Sequence, residues 1–336
     1  MELLIGTREG MFVAGQSGAA APSEGLARVG VHTVRRINGN VVAGADDGVY
    51  CSDDAGRSWR PSGCEGRDVW AIAAAPQDER VLFAGTHPAG LLRSDDGGHS
   101  WAEIPSLTRV PGSDRWGLPN DPTASRALAL VFDPARPAHF CVGVEVGGIL
   151  ETDDAGATWH VNLVGQNPDI HGIVRDPAHP DVLYATTGFG RIGDDGAPEE
   201  LSPAGVYRSE DGGRTWHYVW GDRGRRYTRP MCVDPRAPHA LTVACAPTFF
   251  ANYRDPDGAQ SMLYQSTDGG STWRSLGDAA HSPSAANLTA LAPAAERAGG
   301  VVVGTDNGEV WHVSPDAEWT PLASGLPYVQ ALLPLG

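Results

Sequence analysis

Some positions of this chain ought to carry the same residue in every repeat of its pattern, and do not. Two residues after the small residue of one recurrent strand stand Arg8, Asp46, His87, Glu145, Thr187, Ala246 and Asp306. Six residues before the proline that closes another recurrent strand stand Trp70, Leu128, His171, Arg229, Asn287 and Tyr328. Two residues earlier again come Asp68, Arg126, Asp169 and Tyr227. Packing positions should look alike from repeat to repeat, so residues that differ this much in charge are candidates for chemistry. His87, Glu145 and His171 are candidate catalytic acid–base groups, since imidazole and carboxyl side chains move protons near neutral pH. Arg126 and Arg229 have the fork geometry that grips a carboxylate or phosphate. Asp68, Trp70, Asp169, Tyr227 and Asn287 join them as candidate ligand contacts. His87, His171 and Glu145 could alternatively hold a divalent metal, but no short-spaced ligand motif supports this. No metal is therefore assigned, and no cofactor can be named. A solvated rim of strand ends would also be charged, and that reading stays open.

The elements that position these residues are legible from a repeat. Five near-copies of one octapeptide occur: SDDAGRSW (52–59), SDDGGHSW (94–101), TDDAGATW (152–159), SEDGGRTW (209–216) and STDGGSTW (266–273). Each reads as a hairpin turn. Asp54, Asp96, Asp154, Asp211 and Asp268 can accept bonds from their own turn, Gly56, Gly98, Gly156, Gly213 and Gly270 supply positive φ, and the tryptophan packs into the sheet. Because the same aspartates recur in every copy, structure rather than catalysis accounts for them. Around each octapeptide runs the same sequence of strands A to D: one ending at a proline turn (LALVFDPARP), a second (FCVGVEV), a third (GILET), and a fourth opened by the tryptophan.

This pattern, S/T-x-D-x-G-x-T/S-W, resembles that of the Asp-box (BNR-repeat) β-propeller superfamily over essentially the whole chain. The resemblance implies an all-β propeller with one four-stranded blade per repeat. Seven A strands are expected, around 32–37, 70–75, 128–132, 171–175, 229–233, 287–292 and 328–333. The N-terminal residues supply strands B, C and D without an A, so residues 328–335 should pair beside residues 2–6. Residues 1–336 then form one domain, and 336 residues over seven units gives about 48 each, near the usual blade length. The sixth unit keeps only SPDAEWT (314–320), and the seventh has no octapeptide.

Relatives in that superfamily include sialidases, two-propeller xyloglucan hydrolases, sortilin-type receptors and a photosystem assembly factor, so the fold alone does not assign function. Ligands there bind the face formed by B–C and D–A loops. Here the long segments 107–125, 188–205 and 247–261 fall on that face, with Trp116, Phe189, Phe249, Phe250 and Tyr253 in them. Long loops in compact domains are commonly functional. Two readings follow: a module binding a small molecule, peptide or glycan, or a glycosidase-like hydrolase or lyase using His, Glu and Arg at the same mouth. A sialidase fits badly, because its Arg-Ile-Pro motif is missing.

Composition narrows the classes further. A formal charge of −16 without a basic stripe would repel a phosphate backbone, which excludes nucleic acid. The chain has no lysine, so Schiff-base and P-loop lysine chemistry are absent. No apolar run approaches a membrane span, no secretory signal is evident, and five cysteines without a CxxC pair give neither a disulfide framework nor a zinc site. A soluble, cytoplasmic protein without membrane partners is expected.

Overall fold

The computed structural model describes residues 2–15, 19–117, 125–190, 203–248 and 257–335. They form seven four-stranded antiparallel sheets. Their A strands are Val31–Ile37, Asp68–Ala75, Ala127–Phe132, Ile170–Arg175, Tyr227–Val233, Leu288–Pro293 and Val329–Pro334. Each A strand packs against those of the preceding and following sheets, and the last returns to the first, which closes a seven-bladed propeller around a central channel. The seventh blade is assembled from both ends of the chain: Val329–Pro334 pairs with Leu3–Thr7, with Leu333 opposite Leu4 and Leu332 opposite Ile5. This pairing leaves no open sheet edge at the junction.

Blades are held by small residues and by tryptophans. B strands such as Phe140–Val144 and Val301–Thr305 are buried along their whole length, because neighbouring blades cover both faces. Glycine in them admits the next blade: a Cβ on Gly85 would lie 2.5 Å from the carbonyl oxygen of Ala127, and one on Gly304 would lie 2.4 Å from Cγ1 of Val329. The octapeptides turn between strands C and D. In the third blade, Asp154 Oδ1 accepts the N–H of Thr158 at 2.8 Å, and its Oδ2 accepts the Thr158 hydroxyl at 2.6 Å. Gly56, Gly98, Gly156, Gly213 and Gly270 all have positive φ. Two tryptophan Nε1 groups donate to backbone of the preceding blade: Trp101 to Ser62 O at 3.0 Å, and Trp273 to Val219 O at 2.9 Å. Trp319 does the same to Leu276 O at 2.7 Å, so the sixth blade keeps the staple after losing its octapeptide.

Candidate functional site

Every A strand is interrupted near its start, at the end of the channel here termed the upper mouth. In the first blade Val31 opposes Ala45 and Thr33 opposes Gly44, which leaves His32 as an extra residue. The same bulge isolates Trp70, Leu128, His171, Thr289 and Gln330, while a longer one in the fifth blade holds Arg229 and Pro230. A bulge re-aims its side chain. Accordingly His32, Trp70, Leu128, His171, Arg229, Thr289 and Gln330 all line a channel cavity of about 410 Å³.

One rung above, the last A–B pairs form a second ring: Gly30 with Asp46, Asp68 with His87, Arg126 with Glu145, Asp169 with Gly188, Tyr227 with Ala246, Asn287 with Asp306, and Tyr328 with Arg8. Side chains bond across several of these rungs. Arg126 donates to Glu145 Oε2 at 2.5 Å, and Asn287 Nδ2 donates to Asp306 at 2.7 Å. The Arg8 guanidinium lies 4.1 Å above the Tyr328 ring.

The two rings join into one connected constellation. His87 Nδ1 lies 3.1 Å from Asp68 Oδ2, and His32 Nε2 lies 2.9 Å from Asp68 Oδ1 and 2.8 Å from Asp46 Oδ1. His32 stacks on Trp70, and the Arg126 guanidinium is 4.6 Å from the Trp70 ring. Arg126 leads to Glu145, which also lies 3.8 Å from Arg229. His171 donates from Nδ1 to Thr228 O at 2.6 Å, and its Nε2 is 3.4 Å from Asp169 Oδ1. Thus His87, Arg126, Glu145, His171 and Arg229 come to one sector of the mouth. Burial opposes the charge of His32, but bonding to Asp46 and Asp68 outweighs it and raises its pKa. Burial likewise opposes ionisation of Asp68 and Asp169, yet contact with His32 and with His171 holds both carboxyls below their ordinary range.

Several expectations are corrected. Asn287 and Tyr328 do not share the ring of Trp70; Thr289 and Gln330 occupy it. The counting landmark failed because Pro293 and Pro334 lie inside their strands, not in the turn beyond. The fourth-blade counterpart of Glu145 is Gly188, and Thr187 is fully buried, its hydroxyl donating to Gly205 O at 3.2 Å. Trp116 is 6% exposed and packs in the apolar core with Val144 and Leu107, so it is no ligand contact. Trp70 has its ring engaged by His32 and Arg126. Arg126 and Arg229 both face Glu145, which offsets part of the charge they were expected to offer an anion. Tyr253, Phe249 and Phe250 lie outside the described residues.

His32, Thr289 and Gln330 were missed as site residues, although the strand-entry position that the bulge isolates would have found them. As for metals, donor atoms of His32, Asp46 and Asp68 lie within 4.8 Å of one another, as do those of Glu145, Asp169 and His171. His87 belongs to neither group, so among the described residues it does not form a common metal site with His171 and Glu145.

No family model matches the chain. Its sequence is similar to the oligoxyloglucan-reducing end-specific xyloglucanase of Emericella nidulans, at 25% identity over 232 residues, covering 61% of this chain and 26% of the relative. A xyloglucanase of Paenibacillus sp is 30% identical over 204 residues, covering 52% of this chain and 19% of the relative. The chain thus spans about a quarter or less of the length of these curated relatives. In structure it is similar to the GH74 enzyme of Niastella koreensis, with a TM-score of 0.62 at 16% identity over 95% of this chain and 46% of that one. The structural likeness shows the propeller fold.

Proposed function

We propose that the upper mouth binds a glycan and acts on it as a glycosidase-like hydrolase, with binding without turnover as the second reading. The observation that carries the proposal is the Asp68–His87 pair. Asp68 faces Nδ1 of His87, and the buried Nε2 of His87 has no hydrogen-bond partner. A carboxylate that fixes one imidazole nitrogen leaves the other poised to give or take a proton. Glycoside hydrolysis needs one group to protonate the leaving oxygen and a carboxylate to support the oxocarbenium-like transition state. Here His87 takes the proton-transfer role, and Glu145, on the adjacent blade, supplies the second carboxylate. Asp169 lies 3.4 Å from His171 Nε2 and accepts the Gly190 N–H, so it positions His171.

A neutral ligand suits this mouth better than an anion, because Glu145 faces both guanidiniums and Asp46, Asp68 and Asp169 add further negative charge. Phe189 supports the same reading. Its ring is 46% exposed and stacks on Tyr227 at 5.9 Å between centroids, a surface against which the apolar face of a sugar can lie. The similarity to xyloglucanases favours β-glucan chains carrying xylose branches as the first substrates to try. The second reading has its own support in Glu145, whose contacts with Arg126 and Arg229 suit a fixed binding frame.

The test is release of reducing ends from xyloglucan oligosaccharides, run beside calorimetric binding. Hydrolysis that falls at least 100-fold in His87→Ala and Glu145→Gln, with oligosaccharide still bound, supports the enzyme. Binding without hydrolysis in the wild type selects the second reading. Absence of both across a glycan panel rejects the proposal.

A further inference from the structure

The channel has a second opening, and its chemistry is the reverse of the first. At the lower mouth lies a cavity of about 760 Å³ lined by Arg35, Arg36, Arg175 and Arg236 together with apolar residues such as Val174, Met231, Leu291 and Leu332. No carboxylate lines it among the described residues. In a chain with a formal charge of −16, four guanidiniums gathered without an acidic residue in the wall call for a physical reason.

Register shows that Arg35 is not there for packing. The equivalent positions of the other blades are Ala73, Val131, Val174, Cys232, Ala292 and Leu333, all apolar. The fold evidently builds this position from an aliphatic or small side chain. Arg35 instead brings a charge to the lower mouth, where it is solvent-exposed and has no hydrogen-bond or ion-pair partner among the described residues. Arg175 is half-satisfied: one terminal nitrogen donates to Pro180 O, while Nε and the other terminal nitrogen are buried with no partner. The remaining two are anchored. Arg36 donates to Leu335 O at 3.1 Å, and Arg236 grips Asp234. Exposed Glu79 lines the channel cavity that Arg35 and Arg36 also line, but not the lower one. The buried, unbonded donors of Arg175 are unfavourable unless something else accepts from them.

We propose that the lower mouth is a binding site for a small oxyanion, a phosphate-bearing or polycarboxylate molecule whose charged group is held by Arg35 and Arg175 and whose body rests on the aliphatic wall. Planar forks with several N–H donors match phosphate and carboxylate oxygens. The site is independent of the glycan reading, lying at the opposite end of the A strands and using none of its residues.

Titration of the full chain with inorganic phosphate and, separately, with citrate, at constant ionic strength and with chloride as control, tests this by calorimetry and thermal shift. Wild type should bind one of the two anions, and Arg35→Met and Arg175→Gln should each weaken that binding at least ten-fold. Which of the two anions binds decides between phosphate and carboxylate sources. Ligand-free Arg35→Met should melt no lower than wild type, because it removes an exposed charge that has no partner, and oligosaccharide binding at the upper mouth should be unchanged. Equal stabilisation of all three proteins, stabilisation by chloride to the same extent, or a large loss of melting temperature in ligand-free Arg35→Met would overturn the proposal.

Discussion

The imidazole of His32 lies parallel to the indole of Trp70, with ring centroids 3.8 Å apart and planes 11° apart. The two residues occupy the bulge of successive blades, so the stack crosses a blade boundary at the mouth. It also fixes His32 between Asp46 and Asp68, making the imidazole the electrostatic hinge of that sector.

A pH dependence follows. The folded-state pKa of His32 is raised, so its contribution to stability is complete below the ordinary imidazole value of about 6.5 and is lost as pH rises through the higher folded value. Gln330 can follow the change: its Nε2 now lies 3.0 Å from His32 Nδ1 while its Oε1 is buried without a partner, so a flipped amide would accept from the protonated ring. The melting temperature of wild type should exceed that of His32→Gln by several degrees at pH 5.5, and the gap should narrow by pH 8.5. A gap that widens with pH contradicts the assignment.

Glu145 separates two guanidiniums, so Glu145→Gln should cost about 3 kcal/mol, as expected when one partner of a largely buried ion pair is removed. Because Arg126 and Arg229 lose their shared carboxylate, the upper mouth should acquire affinity for phosphate or carboxylate ligands that wild type lacks there. Chemical denaturation and anion titration in an Arg35→Met background read both effects.

The octapeptide turns should matter for folding and not for ligands. Asp154 is held down to about 2 by the hydroxyl and N–H of Thr158 and the hydroxyl of Thr152. Its stabilisation is present above the ordinary carboxyl value and is lost as pH falls through the folded one. Asp154→Ala should lower the melting temperature by a few degrees at pH 7, with the difference shrinking towards pH 2. Ligand affinity in the folded variant should equal that of wild type.

Close blade packing predicts a steep penalty at Gly85. An added Cβ meets backbone oxygen at 2.5 Å, which no rotamer relieves. Gly85→Ala should destabilise by roughly 1–3 kcal/mol as an overpacked site, and Gly85→Val by more. By contrast Gly39→Ala, with nothing within 4 Å of the new atom, should cost only the strain of its φ of 78°. Urea midpoints of the three variants compare them directly.

Sequence by itself determined the fold. The recurrence of one hairpin octapeptide, four short strands around it, and complementary incomplete units at the two ends left few arrangements other than seven blades closed by residues 328–335 beside residues 2–6, which the structure realises as Val329–Pro334 beside Leu3–Thr7. Such features are legible because turn geometry and strand period act over a few residues. It also marked most of the mouth: His87, Arg126, Glu145, His171 and Arg229 stood out as differing where repeats should agree. What only the tertiary structure decided was which way each side chain points and what it meets. Where a proline falls relative to its strand is decided only on folding: Pro293 and Pro334 lie inside theirs, so Thr289 and Gln330 entered the inner ring while Asn287 and Tyr328 stood on the rung above, and the first blade has no such proline to point to His32. Trp116 sits in a segment that reads as an exposed loop, yet folds back into the core, because burial depends on distant residues such as Phe140 and Leu150. Arg126 and Arg229 look like anion ligands in a linear chain. They turn on Glu145 only because the third and fifth blades bring them together, and at the other end of the channel Arg35 is left without a partner.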